Sequence, residues 1–155
     1  MHHLVPALIA LTHGLFSSLP TNSVVIGHGI SNSFLSKVDC PAGSICLDAQ
    51  YLWVLTSTRT VVGPPIKGQV RAISMQHAQA TQQFVTSVEL FVLRPIESAT
   101  LRSSSGADFY ILALSPRDSA GRYCLPVDPV MFGLYLDPAK VRAAEGSYCF
   151  DAQSL

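Results

Sequence analysis

The stretch that decides the fold is YLWVLTSTRTVV, residues 51–62. It is rich in β-branched and aromatic residues, which favour strands. Its second half alternates, with Thr58, Thr60 and Val62 on one face of an extended chain. The sequence therefore predicts a long β-strand here, and the rest of the chain repeats this kind of segment.

Further extended segments follow on the C-terminal side. Residues 66–75 resume after the Gly-Pro-Pro break at 63–65, which predicts an antiparallel hairpin with the first strand. Apolar residues on both faces near Leu93 predict a central strand within 84–96, ended by Pro95. More strands are expected at 107–114, 122–127 and 147–150. The polar segment 77–83 could be a loop or one helical turn, and 97–106 is a polar connection. A short helix is expected over 138–145, between Asp137-Pro138 and Gly146.

This pattern predicts a mainly β domain. Consecutive strands with short connections favour an antiparallel meander, and closure into a small OB-like barrel is the first expectation because closure removes exposed strand edges. One short C-terminal helix completes the expected fold. A sandwich and an open sheet with a C-terminal helix are the alternatives.

The N-terminal part of the chain differs in composition from the rest. The chain has 155 residues, which is the size of one domain, and no charged residue precedes Lys37. The apolar run Leu4–Phe16 is too short to span a membrane but fits the core of a secretory signal. The preceding Met-His-His carries no Lys or Arg and no A-x-A cleavage site follows, so a buried N-terminal helix or a start codon placed too far upstream are alternatives.

These observations divide the chain into three expected parts. Residues 1–23 form a secretory signal or an apolar N-terminal segment, residues 24–44 form a polar leader, and residues 45–155 form a single β domain. The mature protein is expected in the periplasm or outside the cell, without a membrane span.

Cysteine usage agrees with export. The even set Cys40, Cys46, Cys124 and Cys149 favours disulfides, with Cys124–Cys149 and Cys40–Cys46 as the preferred pairing. The crossed pairings remain open. A four-cysteine zinc site is the alternative, but five residues separate the first pair and twenty-four the second, which is wider than zinc knuckles use. No metal and no cofactor are expected.

The charge balance argues against a nucleic-acid partner. Lys plus Arg is 10 and Asp plus Glu is 10, so the net charge is zero, and charged residues make up only 13% of the chain against about 25% in ordinary domains. The sequence has neither a G-x-S-x-G elbow nor a phosphate-binding loop.

Few residues are candidates for chemistry. His77 is expected to be an ordinary surface or loop histidine, and as an alternative it could act as a general base with Glu89 or Asp108. Glu89 is expected to face solvent, and as an alternative it could be a buried acid paired with Arg59 or Arg71 on a neighbouring strand.

The favoured function is therefore binding rather than catalysis. The expected contact surface consists of Trp53, Arg59, Arg71 and the loop at His77, and the partner is an unidentified protein or small ligand. A small hydrolase that uses His77 as general base is the alternative function.

Overall fold

The computed structural model describes residues 21–39, 41–43 and 48–155. The expected signal core, Cys40 and residues 44–47 lie outside this part of the chain. The described residues form eight strands: β1 (Ser23–Lys37), β2 (Ala49–Val62), β3 (Gly68–Gln76), β4 (Val88–Pro95), β5 (Phe109–Pro116), β6 (Arg122–Leu125), β7 (Val141–Ala144) and β8 (Ser147–Asp151). They also form two short helices, α1 (Gln82–Ser87) and α2 (Ala99–Ser105), and 3₁₀ turns at Pro129–Phe132, Pro138–Lys140 and Ala152–Ser154.

The first five strands form one mixed sheet whose pairings run in a ring, in the order β1-β2-β3-β5-β4 with β4 again beside β1. The predicted hairpin is confirmed, because β2 and β3 pair antiparallel from Ala49–Gln76 to Ser57–Gly68. The remaining strands form a three-stranded sheet in the order β6-β8-β7. The mainly β class is confirmed.

The antiparallel meander is wrong in one respect. β3 and β5 are parallel, and they pair at Ala72–Phe109 and Ile73–Tyr110. The intervening β4 pairs instead with β1 and β5. A parallel neighbour needs a crossover connection, and the chain from α1 through α2 supplies it.

The polar leader at 24–44 is also wrong over most of its length, because residues 23–37 form β1. Val24 and Val25 are fully buried. Gly27 and Gly29 approach neighbouring backbone so closely that a Cβ on Gly27 would overlap the Thr56 carbonyl, and one on Gly29 the Val85 carbonyl. The glycines and serines that resemble a loop in sequence thus belong to a strand in close contact with its neighbours.

The interior of the ring is filled by one apolar cluster from all the surrounding elements. Trp53 lies at its centre, fully buried, edge-on to Phe91 with ring centroids 6.2 Å apart. Its indole N–H donates a hydrogen bond to the Ser74 hydroxyl over 2.8 Å. The cluster consists of Val25, Trp53, Leu55, Val70, Ala72, Val85, Val88, Phe91 and Leu93.

A second core joins the two sheets. The outer residues of β4 and β5 pack against the inner face of the three-stranded sheet, where Tyr123 and Phe150 are buried. β4 is therefore apolar on both faces, as a central strand requires, and that prediction is confirmed. The cluster consists of Val24, Leu90, Val92, Ala113, Tyr123, Leu125, Leu134 and Phe150.

The predicted C-terminal helix over 138–145 is wrong. The Asp137 side chain does accept a hydrogen bond from the Ala139 amide, but only a 3₁₀ turn follows, and β7 begins at Val141. Glu145 and Gly146 have positive φ of 47° and 78°, which is the geometry of a two-residue hairpin turn between β7 and β8. Gly146 ends a strand here rather than a helix.

Both described α-helices fall in segments predicted as strand or connection. α1 includes Phe84, which was expected to start a strand. α2 occupies the predicted connection 97–106, between an N-cap at Ser98 and a C-cap at Gly106 with φ 63°. Neither helix, nor any other helix of the described residues, is long and apolar enough to cross a membrane.

Candidate binding groove

A groove crosses the outer face of the five-stranded sheet where β3 lies beside β5. Its first part is a depression of about 360 Å³ lined by β2, β3, β4 and β5 residues. Its second part, about 430 Å³, lies at the end of β4 and the start of the connection to α2. Arg94 and Tyr110 line both parts. We call the whole feature the Tyr110 groove.

Strand alternation places most of the side chains that line the groove on the outer face, with Ile111, which packs against the ring core, as the exception. Trp53 and Leu55 point into the ring core, so Gln50 and Leu52, an odd number of residues away, point outward. Ile73 pairs with Leu52 and with Tyr110, and therefore lies on the same outer face. The first depression is lined by Gln50, Ile73, Met75, Arg94, Tyr110, Ile111 and Leu112.

The centre of the groove is a stacked cation and aromatic ring. The Arg94 guanidinium carbon lies 5.6 Å from the centroid of the Tyr110 ring. Stacking of this kind contributes about 0.5–1 kcal/mol at an exposed site and fixes the direction of the guanidinium. Among the described residues no carboxylate forms an ion pair with Arg94, so its charge is available to a ligand.

The two ends of the groove differ in character. At one end Met75 is 61% exposed, and it gives a flexible apolar contact. At the other end Glu97 and Ser98 line the second depression beside Pro95. The groove therefore offers an apolar end, a cationic and aromatic centre, and a polar end.

Helix α2 is fixed next to this groove. Leu101 of α2 and Tyr110 pack against Ile73 and Ile96. The Arg71 Nε–H donates a hydrogen bond to the carbonyl of Gly106, the C-cap of α2, over 2.6 Å. The wall beside the groove is thus held to β3 by both apolar contact and a hydrogen bond.

The predicted contact surface is not assembled. Trp53 is fully buried in the ring core, so its predicted role at a surface is wrong. The Arg59 side chain donates a hydrogen bond to the Leu155 carbonyl over 3.0 Å, and that of Arg71 holds α2. Both arginines are exposed, but each is already engaged within the chain.

The predicted acid–base pairs are also not formed as expected. The acid beside His77 is Asp48, with His77 Nδ1 and Asp48 Oδ1 2.9 Å apart, and the His77 side chain is 77% exposed. Glu89 pairs with Arg117 over 2.9 Å instead of with Arg59 or Arg71. His77 with Asp48 is thus a surface pair at the start of β2 and the end of β3.

The disulfide Cys124–Cys149 is present and joins β6 to β8, as the preferred pairing predicts. The second expected pair, Cys40–Cys46, falls outside the described residues. Within the described part of the chain, no group of three or more His, Cys, Asp or Glu side chains is placed to bind a metal ion.

The sequence pattern does not single out Arg94 or Tyr110 as binding residues. Residues 109–114, FYILAL, are all apolar or aromatic, so no polar alternation marks the outward face of this strand. Phe109 packs against the ring core, so the next residue must face outward. Arg94, near the end of a largely apolar strand, is the signal that the sequence does carry for this face.

Comparisons with protein-family models, with curated proteins and with solved structures returned no match for this chain.

Proposed function

We propose that this chain is an exported, disulfide-supported β domain that acts by non-catalytic binding, and that it binds an extended peptide segment in the Tyr110 groove. The observation that carries the proposal is the Arg94–Tyr110 stack, which sits between two open depressions on one sheet face.

The position of the Tyr110 groove agrees with the ligand-binding face of a known barrel architecture. We infer that the five-stranded ring is an OB-like barrel. Such barrels bind their ligands on the face of strands 2 and 3, next to the connections between strands 1 and 2 and between strands 4 and 5. The Tyr110 groove contains Gln50 of β2 and Met75 of β3, and its polar end lies at the connection from β4 to β5. It therefore occupies the corresponding face.

The charges of the groove favour a peptide carrying a carboxylate. Arg94 presents an unpaired guanidinium that can bind a carboxylate through two parallel hydrogen bonds. Met75 and Leu112 can contact an apolar side chain on the same ligand. Only one cation lines the groove, and Glu97 lies at its polar end, so a polyanion gains little there.

Selection of displayed peptides tests the proposed binding. Random dodecapeptides on phage are selected on the oxidised protein, and the affinities of the selected peptides are then measured for Arg94→Gln and Tyr110→Ala. We expect peptides with an acidic residue next to an apolar one, and affinity losses of about tenfold for each variant, which corresponds to about 1.4 kcal/mol. Tyr135→Ser is the matched control, because Tyr135 is 84% exposed and does not line the groove.

Selected peptides that bind both groove variants as tightly as the parent protein would place binding elsewhere. Labelled dT15 and a chitin tetrasaccharide are measured in parallel, and groove-dependent binding of either one in place of peptides would change the ligand class.

The proposed export has its own test. Protein from the native source is alkylated with and without reductant, and its intact mass is measured. We expect loss of an N-terminal segment and no free thiol. A full-length chain with four free thiols would overturn export.

The hydrolase remains the second candidate, because His77 and Asp48 form a close pair. It predicts hydrolysis of ester or peptide substrates that His77→Ala abolishes. The binding proposal predicts that His77→Ala leaves peptide affinity unchanged.

A further inference from the structure

The outward face of the three-stranded sheet carries the disulfide in a row with an arginine. Cys124 is paired with Cys149 across β6 and β8, and Cys149 is paired with Arg142 across β8 and β7. Directly paired residues in antiparallel strands point to the same face. Because Tyr123 and Phe150 point into the core, this row points to solvent, and both cysteines are half-buried rather than buried.

A polar depression of about 320 Å³ opens beside Cys149. Four charged side chains line it: Arg122, Lys140, Arg142 and Asp151. Arg122 is engaged by Asp118, with nitrogen and oxygen 2.7 Å apart. Within the described chain Lys140, Arg142 and Asp151 form no ion pair, so the depression presents two available cations and one carboxylate beside Cys149.

We propose that Cys149 is a site of thiol–disulfide exchange for thiols that carry a carboxylate. The ligand's carboxylate binds at Lys140 and Arg142, which brings its thiolate to the Cys149 sulfur. A new sulfur–sulfur bond forms between the ligand and Cys149, the Cys124–Cys149 bond breaks, and the electron pair leaves on Cys124 as a thiolate. No external oxidant or reductant is needed, because the step only exchanges partners within disulfides.

The order of the strands decides which sulfur is attacked. A thiolate attacks a disulfide sulfur from the side opposite the departing sulfur. Because β8 lies between β6 and β7, the side of Cys149 away from Cys124 faces β7 and Arg142. Cys149 lines the depression and Cys124 does not. The bound thiol therefore reaches Cys149.

The test measures exchange rates on the folded, oxidised full chain with three small thiols. The thiols are 3-mercaptopropionate (anionic), 2-mercaptoethanol (neutral) and cysteamine (cationic), each normalised to its rate with 2-hydroxyethyl disulfide. Iodoacetamide traps the released thiol, and peptide mass mapping identifies which cysteine carries the ligand. The same rates are measured for Lys140→Gln/Arg142→Gln and for the matched control Arg102→Gln, whose exposed side chain lies on α2.

We expect the normalised rate to be highest for the anionic thiol, with the adduct on Cys149 and the alkyl group on Cys124. The double variant should lower the ratio of anionic to cationic rate by about threefold or more, whereas the control should leave it unchanged. The preference should also weaken in 0.5 M salt, because exposed charges are screened.

Three results would overturn the proposal. One is an anionic preference that persists unchanged in the double variant. Another is an adduct on Cys124, and the third is a bond that reacts only when the protein unfolds. A peptide-binding groove that fails its own test would leave this result untouched, because the two surfaces share no residue.

Discussion

The Tyr123 hydroxyl donates a hydrogen bond to Glu89 Oε2 over 3.0 Å, and it does so between the two sheets. Tyr123 belongs to β6 and Glu89 to β4. Arg117 binds the same carboxylate oxygen over 2.9 Å and lies over the Tyr123 ring. The acid that interrupts an apolar strand in the sequence thus joins the two sheets.

Tyr123→Phe should lower the free energy of unfolding by about 1–2 kcal/mol at pH 7, because Glu89 loses a buried donor while it keeps Arg117. Urea unfolding measures this change, with Tyr135→Phe as the exposed control. An unchanged urea midpoint for Tyr123→Phe would show that the hydroxyl adds nothing to the contact between the sheets.

The same hydroxyl predicts a specific alkaline behaviour. Burial raises the pKa of Tyr123 above its ordinary value, and the hydrogen bond to Glu89 raises it further. A raised folded pKa means that this stability is complete below about pH 10 and is lost as pH rises through the folded pKa. The stability difference between the parent protein and Tyr123→Phe should therefore narrow above pH 10. A difference that stays constant up to pH 11 would contradict this ionisation.

Asp118 predicts a loss of folding stability at acidic pH. Hydrogen bonds from Arg122 lower the pKa of the Asp118 carboxyl below its ordinary value. A lowered folded pKa means that the stability is present above the unfolded value of about 3.9 and is lost as pH falls through the folded pKa. Asp118→Asn should be less stable than the parent at pH 7, and the two should converge towards pH 2. Urea midpoints at several pH values check this, with the exposed Asp39→Asn as control. Parallel curves for the parent and Asp118→Asn down to pH 2 would contradict it.

Gly29→Ala should be strongly destabilising. The added methyl group overlaps the Val85 carbonyl, which also accepts the amide of Val88 at the end of α1. Overpacking of this kind costs about 1–3 kcal/mol. Thermal unfolding is the measurement, and His28→Ala is the control, since that side chain between the two glycines is exposed. If both variants melt at the same temperature, β1 does not approach α1 as described.

Arg71→Ala should loosen α2 locally. The variant removes the hydrogen bond to the Gly106 carbonyl, and we expect a loss of about 0.5–1.5 kcal/mol. Hydrogen exchange of the α2 amides should accelerate more than that of the β2 amides. Arg102→Ala, on the helix itself, is the control and should leave exchange unchanged; equal exchange in both variants would show that Arg71 does not hold the helix.

The local sequence pattern predicts the strands whose side chains alternate, but it does not decide between two structures that favour the same residue types. The sequence predicts β2 almost to its ends, because alternating β-branched residues are typical of a strand and not of a helix. Gly146 is as suited to a helix C-cap as to a hairpin turn, and only the pairing of Val141 with Phe150 decides for the hairpin. β1 looks like a loop because the glycines that permit close backbone approach are the same residues that open turns.

The groove was harder to predict than the fold for a related reason. Which face of β5 is outward depends on its parallel pairing with β3, and strand order is not encoded in any local segment. Trp53, a typical surface-binding residue, lies in the core because its strand position points inward. Arg94 and Tyr110 meet through the register of β4 and β5, which alternation alone does not set.

The pairing of β1 with β4 also governs when the chain can fold. Ser23 is paired with Leu93, so β1 can pair with its second neighbour only after α1 and β4 have been synthesised. Pairings distant in sequence form slowly because the chain between them must lose its freedom first. The ring of strands therefore cannot close until β4 has left the ribosome, and a truncation before Leu93 leaves that edge of β1 unpaired and prone to aggregation.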